Sequence, residues 1–287
     1  MVCVFYNPVA GSRAFEKIKK EIAGLYKNED IQYYDVISTD DLMEHIDSMS
    51  ADDRILVCGG DGTLNNFINR VRLGDIKQDI YLFPTGTGND FCNDIDISRS
   101  EKIYRINDYL KCLPVLRTKG VERLFINGIG FGVDGYCCAE GNKIRSEHPG
   151  KRVNYGLIAF KGILYGYKKT NAKVRVDGME MQFRDVWMAC TMNGRFFGRK
   201  IMCAPNQDRM NDDGILSLVI IHSRYRFPLL GAFVSIYKGN HIKYDKMVKV
   251  IKGSNISVEF DKPTALQIDG DTILDVLKYE VHKDKNI

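Results

Sequence analysis

The run Arg54-Ile55-Leu56-Val57-Cys58 constrains this chain more than any other segment. Its strand-forming, almost wholly apolar residues stop at Gly59-Gly60, and apolar residues then recur at helical spacing as Leu64, Phe67, Ile68 and Val71. A strand without polar alternation is covered on both faces. A period that changes from 2 to 3.6 across a glycine turn marks a strand entering a helix. The same unit repeats on either side. Val2–Tyr6 is a β-rich run ending at Asn7-Pro8, followed by Phe15, Ile18, Ile22 and Leu25 at helical spacing. Gln32–Ile37 reads as a second strand, after which Ser38 or Thr39 can cap a helix carrying Leu42, His45, Ile46 and Met49. Ile80–Phe83 is a further strand, broken by Pro84. This alternation predicts an α/β domain over residues 1–114 with a parallel sheet.

The texture changes at Leu113-Pro114. Beyond it the apolar runs are short, β-branched and separated by turn residues: Leu124–Ile129, Ala172–Val176, Val186–Met192, Ile215–Ile221, Met247–Ile251, Ile256–Phe260 and Asp275–Val281. Asn154–Tyr167 and Arg226–Tyr237 interrupt them with helical spacing. Residues 115–287 are therefore expected to form a mainly antiparallel β-sandwich domain, and a crevice between two such domains is a common place for a ligand. The total of 287 residues suits two domains, and 44% hydrophobic with 27% charged residues is ordinary globular usage.

Several functional classes drop out. A formal charge of +4 on this length does not indicate nucleic-acid binding. No uncharged apolar run reaches the length of a membrane span, and the N-terminal run reads as a strand rather than a signal peptide. The eight cysteines contain no CxxC pair, and Cys3, Cys58 and Cys190 sit in apolar runs, which predicts buried free thiols in a reducing cytosol. Five scattered histidines show no zinc-type spacing.

The chemistry concentrates in small-residue loops at strand ends. Gly59-Gly60-Asp61-Gly62-Thr63 joins strand to helix, where backbone N–H groups can approach an anion and the helix N-terminus adds partial positive charge. Asp61 argues against a mere tight turn: a carboxylate beside a phosphate site is unfavourable unless it holds a cation or accepts a hydrogen bond from a substrate hydroxyl. Pro84-Thr85-Gly86-Thr87-Gly88-Asn89-Asp90-Phe91 and Asn7-Pro8-Val9-Ala10-Gly11-Ser12-Arg13 end two further strands on the same rim of a parallel sheet. Together they form a constellation suited to a nucleotide polyphosphate. No GxxxxGK[ST] loop, HRD or DFG occurs. Gly130-Phe131-Gly132-Val133-Asp134-Gly135 matches GxGxxG but lacks an acidic residue about 20 positions later, and reads as chance or a tight turn.

The ordered set GGDGT (Gly59–Thr63) and GTGNDF (Gly86–Phe91), with Asn7-Pro8, Asn193-Gly194, Ala204-Pro205, Asn211-Asp212-Asp213-Gly214 and Ile268-Asp269-Gly270-Asp271, resembles the diacylglycerol kinase catalytic-domain family. The likeness is greatest to the small soluble bacterial lipid kinases; sphingosine kinases and, more distantly, NAD kinases share the GGDG element. The resemblance implies an NAD-kinase-like N-terminal domain, ATP as phosphoryl donor, and an active site in the interdomain cleft. It implies nucleotide contacts at Asn7, Pro8, Val9, Ala10, Gly11, Thr39, Gly60, Asp61, Gly62, Thr63, Leu64, Asn65, Asn66 and Thr87. It implies Mg2+ twice, once with the ATP and once at a structural site made by Asp213 with the carbonyls of Met210 and Ile215. The family's general base is the glutamate of a DGE element; here Asp271 stands in that position, with Asp61 orienting the acceptor hydroxyl or supporting the metal.

On spacing alone, Asp269-Gly270 reads as a hairpin turn with Asp271 solvated beside it. Arg199, Lys200, Lys143, Arg145, Lys151, Arg152, Lys168 and Lys169 read first as solvated, and Phe160, Tyr165 and Tyr167 first as core. The expected function is transfer of the ATP γ-phosphoryl group to a lipid hydroxyl, most simply that of diacylglycerol. The alternatives are another acceptor, such as a sphingoid base or other glycerolipid, and a non-catalytic nucleotide-sensing protein. The expected location is cytoplasmic, with peripheral contact at the inner membrane face to reach the lipid; the resemblance is also compatible with a homodimer.

Overall fold

The computed structural model describes residues 1–8, 15–86, 88–96, 101–148 and 153–284. The chain separates into two compact units, Met1–Lys111 and Cys112–Ile287.

In the first unit, β1 (Val2–Tyr6), α1 (Phe15–Leu25), β2 (Ile31–Asp35), α2 (Leu42–Asp47), β3 (Arg54–Gly59), α3 (Asp61–Ile68), β4 (Asp79–Pro84), α4 (Asp90–Asp94), β5 (Tyr104–Arg105) and α5 (Asn107–Leu110) follow in order. The sheet order is β2-β1-β3-β4-β5, with the first four strands parallel and β5 antiparallel to β4. β1 and β3 are buried along nearly their whole length, as their unbroken apolar sequence requires. Asp41 caps α2 by accepting from the Met43 N–H at 2.8 Å, two positions beyond the expected cap. Cys3 and Cys58 are buried free thiols, and burial pushes their pKa values up to about 11 and about 12.

The second unit contains β6 (Val115–Thr118), β7 (Val121–Leu124), β8 (Gly128–Gly132), α6 (Val133–Glu147), α7 (Tyr155–Lys161), β9 (Thr170–Val176), β10 (Met179–Met192), β11 (Phe196–Phe197), β12 (Ile201–Met202), β13 (Leu216–His222), α8 (Arg226–Ser235), β14 (Val248–Gly253), β15 (Asn255–Ile268) and β16 (Asp271–His282). Its nine-stranded sheet is antiparallel throughout. The two 14-residue strands β10 and β15 each pair with β9 along one half and with β8 along the other. Register breaks between Val186 and Met188 and between Glu259 and Thr264 lie where the halves meet, the usual device by which a long strand bends between layers. Phe131 sits at the centre of the core, with Phe260 and Tyr279 ring centroids 4.7 Å and 5.0 Å away.

Two expectations need correction. The run Leu124–Ile129 is not one strand: β7 ends at Leu124, β8 begins at Gly128, and 125–127 form a buried connection. The 15-residue α6, whose small and mixed residues give it little amphipathic signature, has no counterpart in the sequence reading. The GxGxxG match turns out to be the β8–α6 junction. A side chain at Gly135 would lie 1.8 Å from the Ala265 carbonyl oxygen, so that glycine lets α6 lie directly on β15.

Asp134, in the first turn of α6, is buried, with Cys190 Sγ 3.8 Å from its carboxylate. Burial pushes its pKa up to about 7, partly offset by hydrogen bonds from Gln267 and Cys190. A carboxyl raised in the folded state destabilises the fold progressively as pH rises from its unfolded value near 4 to about 7, and no further above that. Asp134→Asn should therefore gain stability relative to the parent across that window, on the order of 4 kcal/mol by pH 8. Urea titrations at pH 4 and pH 8 measure it; a pH-independent difference would contradict the assignment.

Candidate active site

In the first unit the rim is built where β1 and β3 diverge. The sheet order 2-1-3-4 puts the outgoing connections of β1 and β3 on opposite faces, leaving a crevice at their carboxyl ends. Tyr6 is in register with Cys58, and Gly59 with Pro84, so the loops after the three strands start level. The Thr85 N–H donates to the Gly59 carbonyl at 2.9 Å, and beyond it the two loops touch backbone to backbone. A side chain on Gly86 would lie 2.6 Å from the Gly60 Cα, and one on Gly60 would lie 3.0 Å from the Gly86 Cα. This contact, rather than turn conformation, is what excludes any larger residue.

Asp61 fastens the two loops. One carboxylate oxygen accepts the Asp90 N–H and the other the Phe91 N–H, both at 2.9 Å. Asp61 thereby caps α4, whose own preceding residue, Asn89, is left-handed at φ 49° and makes no side-chain cap. Two charge-assisted bonds to backbone amides explain the carboxylate among the glycines without a metal.

The expected nucleotide-contacting residues divide into groups. Gly62, in the first turn of α3, faces open space. Thr63 is buried, and its Oγ1 has no hydrogen-bond partner among the described residues; the same holds for Asn89 Oδ1 beside Gly60. Buried polar atoms normally have partners, so these two are exceptions, both packed against the glycines of the rim. Leu64 and Asn65 are buried within α3, with the Asn65 carbonyl and Oδ1 accepting from Asn69, and Asn66 Nδ2 turns back to the Gly62 carbonyl at 2.9 Å. Asn7 and Pro8 directly follow β1. Thr39 lies in the loop after β2, whose backbone is gripped by Arg70, two residues beyond α3. The guanidinium donates to the carbonyls of Val36, Ile37, Thr39 and Asp40. Val9, Ala10, Gly11 and Thr87 lie outside the described residues, as do Lys151 and Arg152.

In the second unit, Asp269-Gly270 is a two-residue hairpin turn between β15 and β16, with φ of 45° and 98° as a type I′ turn requires. Asp269 accepts the N–H groups of Ile126, Asn127 and Gly128 at 2.6, 2.8 and 3.1 Å. The same 126–128 segment receives Asn193 and Gly194: Asn193 Nδ2 donates to the Ile126 carbonyl, and both backbone N–H groups donate to the Asn127 carbonyl. Arg209 donates to Asn127 Oδ1 at 3.0 Å, and buried Lys283 donates to Asn193 Oδ1 at 3.0 Å. Desolvation, reinforced by Arg209 beside it, pushes the Lys283 pKa down to about 8. Asp271 opens β16, half exposed and ion-paired at 3.1 Å to Arg123 of β7.

The expected metal turn is closed by amides. Ile215 O accepts from Gln207 Nε2 at 2.8 Å and Asn211 Nδ2 at 2.9 Å, which uses both of its lone-pair directions. Asn211 also donates to the Asp208 carbonyl and accepts from the Ile215 N–H. Ile215 does not fit a ligand role as it stands; the Met210 carbonyl and the exposed Asp213 carboxylate are oxygen donors of the kind a hard cation takes. Among the described residues no group of three or more His, Cys, Asp or Glu is placed to hold a metal.

Sequence reasoning missed Arg70, Arg123, Asn127, Arg209 and Lys283. Each acts on a partner from about 30 to 150 residues away, and no local spacing signals that. From this geometry, Asp61→Asn should leave one amide facing an NH2 group and cost about 1–3 kcal/mol. Faster hydrogen exchange confined to the Asp90 and Phe91 amides would accompany it; unchanged stability and exchange would refute the cap.

Residues 1–113 match the family described as diacylglycerol kinase catalytic domain, and residues 127–277, more than half of the chain, the YegS C-terminal NAD kinase beta sandwich-like domain. The chain is 25% identical to a diacylglycerol kinase of Mycobacterium tuberculosis (strain CDC 1551 / Oshkosh), covering 90% of this chain and 84% of that protein. It is 23% identical to a diacylglycerol kinase of Bacillus subtilis (strain 168), covering 93% and 88%. The crystal structure of a diacylglycerol kinase from Bacillus anthracis str. Sterne superposes with a TM-score of 0.63 at 18% identity, over 99% of this chain and 93% of that one, a likeness of fold. With both halves matched in order, the chain belongs to the diacylglycerol kinase catalytic-domain family.

Proposed function

We propose that this chain is an ATP-dependent lipid kinase that phosphorylates the hydroxyl of diacylglycerol to give phosphatidic acid. The observation that carries the reading is the fastened rim of the first unit. Two glycine loops meet backbone to backbone at a sheet switch point, beside a helix whose first turn is open at Gly62 and whose buried Thr63 hydroxyl has no partner among the described residues. Such a hollow suits a polyphosphate, and the diacylglycerol kinase relatives support the lipid acceptor.

In this reading Asn7–Gly11, Gly60, Gly62, Thr63 and Thr87 hold the phosphates, and Thr39 borders the nucleotide on a loop that Arg70 keeps in place. Asp61 acts through the α4 N-terminus it caps. The bond from the γ-phosphorus to the ADP oxygen breaks as a bond to the acceptor oxygen forms, and Asp271 takes the hydroxyl proton. Magnesium bound with the nucleotide supplies charge neutralisation, and a second ion would be held by Asp213 and the Met210 carbonyl, with Ile215 joining only if an amide donor leaves. The Arg123–Asp271 ion pair and the regular hairpin favour a second reading, in which the chain binds nucleotide without transferring phosphate.

Purified protein with labelled ATP and a panel of diacylglycerol, a sphingoid base, other glycerolipids and a soluble alcohol separates these readings. The expected product is labelled phosphatidic acid in the organic phase. Asp271→Asn should lower turnover about 100-fold or more with ATP affinity retained. Full turnover in that variant would remove Asp271 from the mechanism, and ATP binding without transfer to any acceptor would support the sensor.

A further inference from the structure

The ten residues of α8, Arg-Phe-Pro-Leu-Leu-Gly-Ala-Phe-Val-Ser, are apolar on every side except for Arg226 and Ser235. A helix of that composition is normally enclosed. Here only one side is: Leu229 and Ala232 are buried in the second unit, as is Ile236 just beyond, while Phe227, Pro228, Gly231 and Val234 lie along the outer face. Phe227 is 80% exposed and Val234 76%. The face extends sideways. Arg226, stacked 5.2 Å from Trp187, donates to the carbonyls of Ile163 and Leu164 at 2.6 and 2.7 Å, which ties α8 to the turn carrying Tyr165, itself 74% exposed. Tyr225 and Tyr237, at the two ends of the helix, are exposed as well. Tyr165, read from its spacing as core, is therefore a surface residue, whereas Tyr167 two positions on is buried.

The charges around this face are mostly positive, the exposed Asp245 lying just beyond Tyr244. From His222 to Tyr244 the chain contains Arg224, Arg226, Lys238 and Lys243 and no Asp or Glu; from Tyr155 to Lys169 it contains Lys161, Lys168 and Lys169 and again none. Lys168, Lys238 and Lys243 have no carboxylate partner among the described residues. Asp185, at the margin, is neutralised by Lys169 at 2.9 Å. A second copy of this chain would bring the same cations against themselves. An anionic bilayer supplies both what the apolar face lacks and what the basic rim attracts.

We infer that the outer face of α8, with Tyr165 beside it, is an interfacial docking surface for a bilayer containing anionic lipid, with Phe227 and Val234 entering the acyl boundary and Arg224, Lys238 and Lys243 facing the head groups. The inference deepens the proposed function, since it states how an enzyme reaches an acceptor embedded in a membrane, and it rests on that reading only for its biological purpose.

The test is co-sedimentation with vesicles of phosphatidylglycerol and phosphatidylcholine, without nucleotide, against vesicles of phosphatidylcholine alone. The full-length protein should sediment with the anionic vesicles, less so in 0.5 M salt than at about 0.1 M, and weakly with the neutral ones. Phe227→Glu and Val234→Glu, both at exposed positions, should each weaken binding about tenfold or more. The same variants should keep parental turnover on a short-chain diacylglycerol in detergent micelles. No sedimentation with anionic vesicles, equal binding to neutral ones, or undiminished binding by both variants would overturn the docking surface. So would a parental dimer that Phe227→Glu dissociates, since a second copy would then own the face. Absence of kinase activity with intact vesicle binding would defeat the proposed function and leave the docking surface standing.

Discussion

The Asp61 carboxylate lies between two peptide N–H groups that belong to a loop 29 and 30 residues further along the chain. It joins the ends of β3 and β4 at the height where their glycines touch, so the backbone of one loop becomes the wall of the other. A neutral side chain would have to choose between the two amides; a carboxylate satisfies both and also lies on the positive end of α4. Pre-organisation follows from that arrangement. The two loops at the rim are held in place by covalent and hydrogen-bonded structure, so a ligand bound there would have little left to order.

The second unit solves a similar problem with different chemistry. Its 126–128 segment is irregular and buried, which would be unfavourable if its amide and carbonyl groups went unmatched. Asp269 takes three of the N–H groups, while Asn193 and Gly194, together with Arg209, satisfy the carbonyls and the Asn127 side chain. Lys283 completes the group from the far end of the chain by bonding to Asn193 and to the Arg209 carbonyl. Four of the motifs that the resemblance is built on, at 193–194, 204–205, 211–214 and 268–271, thus lie on or beside one polar framework. The hairpin that presents Asp271 is one of its outer edges.

The first unit was readable because each of its signals is local. Strand runs such as Ile55–Cys58 and helical spacings such as Leu64, Phe67 and Ile68 report burial directly, and glycine clusters marked the rim loops. The role of Asp61 was not readable: a cation or a substrate hydroxyl was expected beside it, whereas its carboxylate accepts two backbone amides of another loop, 29 and 30 residues away. In the second unit α6 escaped because its buried face is made of glycine, aspartate and cysteine rather than large apolar residues. Gly130 and Gly135, read as part of a chance match or a tight turn, are small because Asp134 and the Ala265 carbonyl occupy the space a side chain would need. Phe160 and Tyr165 were misread for the opposite reason, since aromatic residues at helical spacing carry no mark of which side they face. Long-range partners such as Arg70 and Lys283 left no trace in spacing at all.

The pairing of β6 with β16 sets an order of assembly. Val115–Arg117 hydrogen-bond to Glu280–His282, and β8 finds one of its two neighbours only at Leu266–Ile268. During synthesis the first unit has all its strands by about residue 105, whereas the second cannot close until nearly the whole chain has emerged. Such non-local pairing is slow, and until β15 arrives the apolar strand β8 has an unprotected edge. A ribosome that pauses after the first unit would present a finished α/β fold; one that pauses before β15 would expose a strand poised to pair with a neighbour.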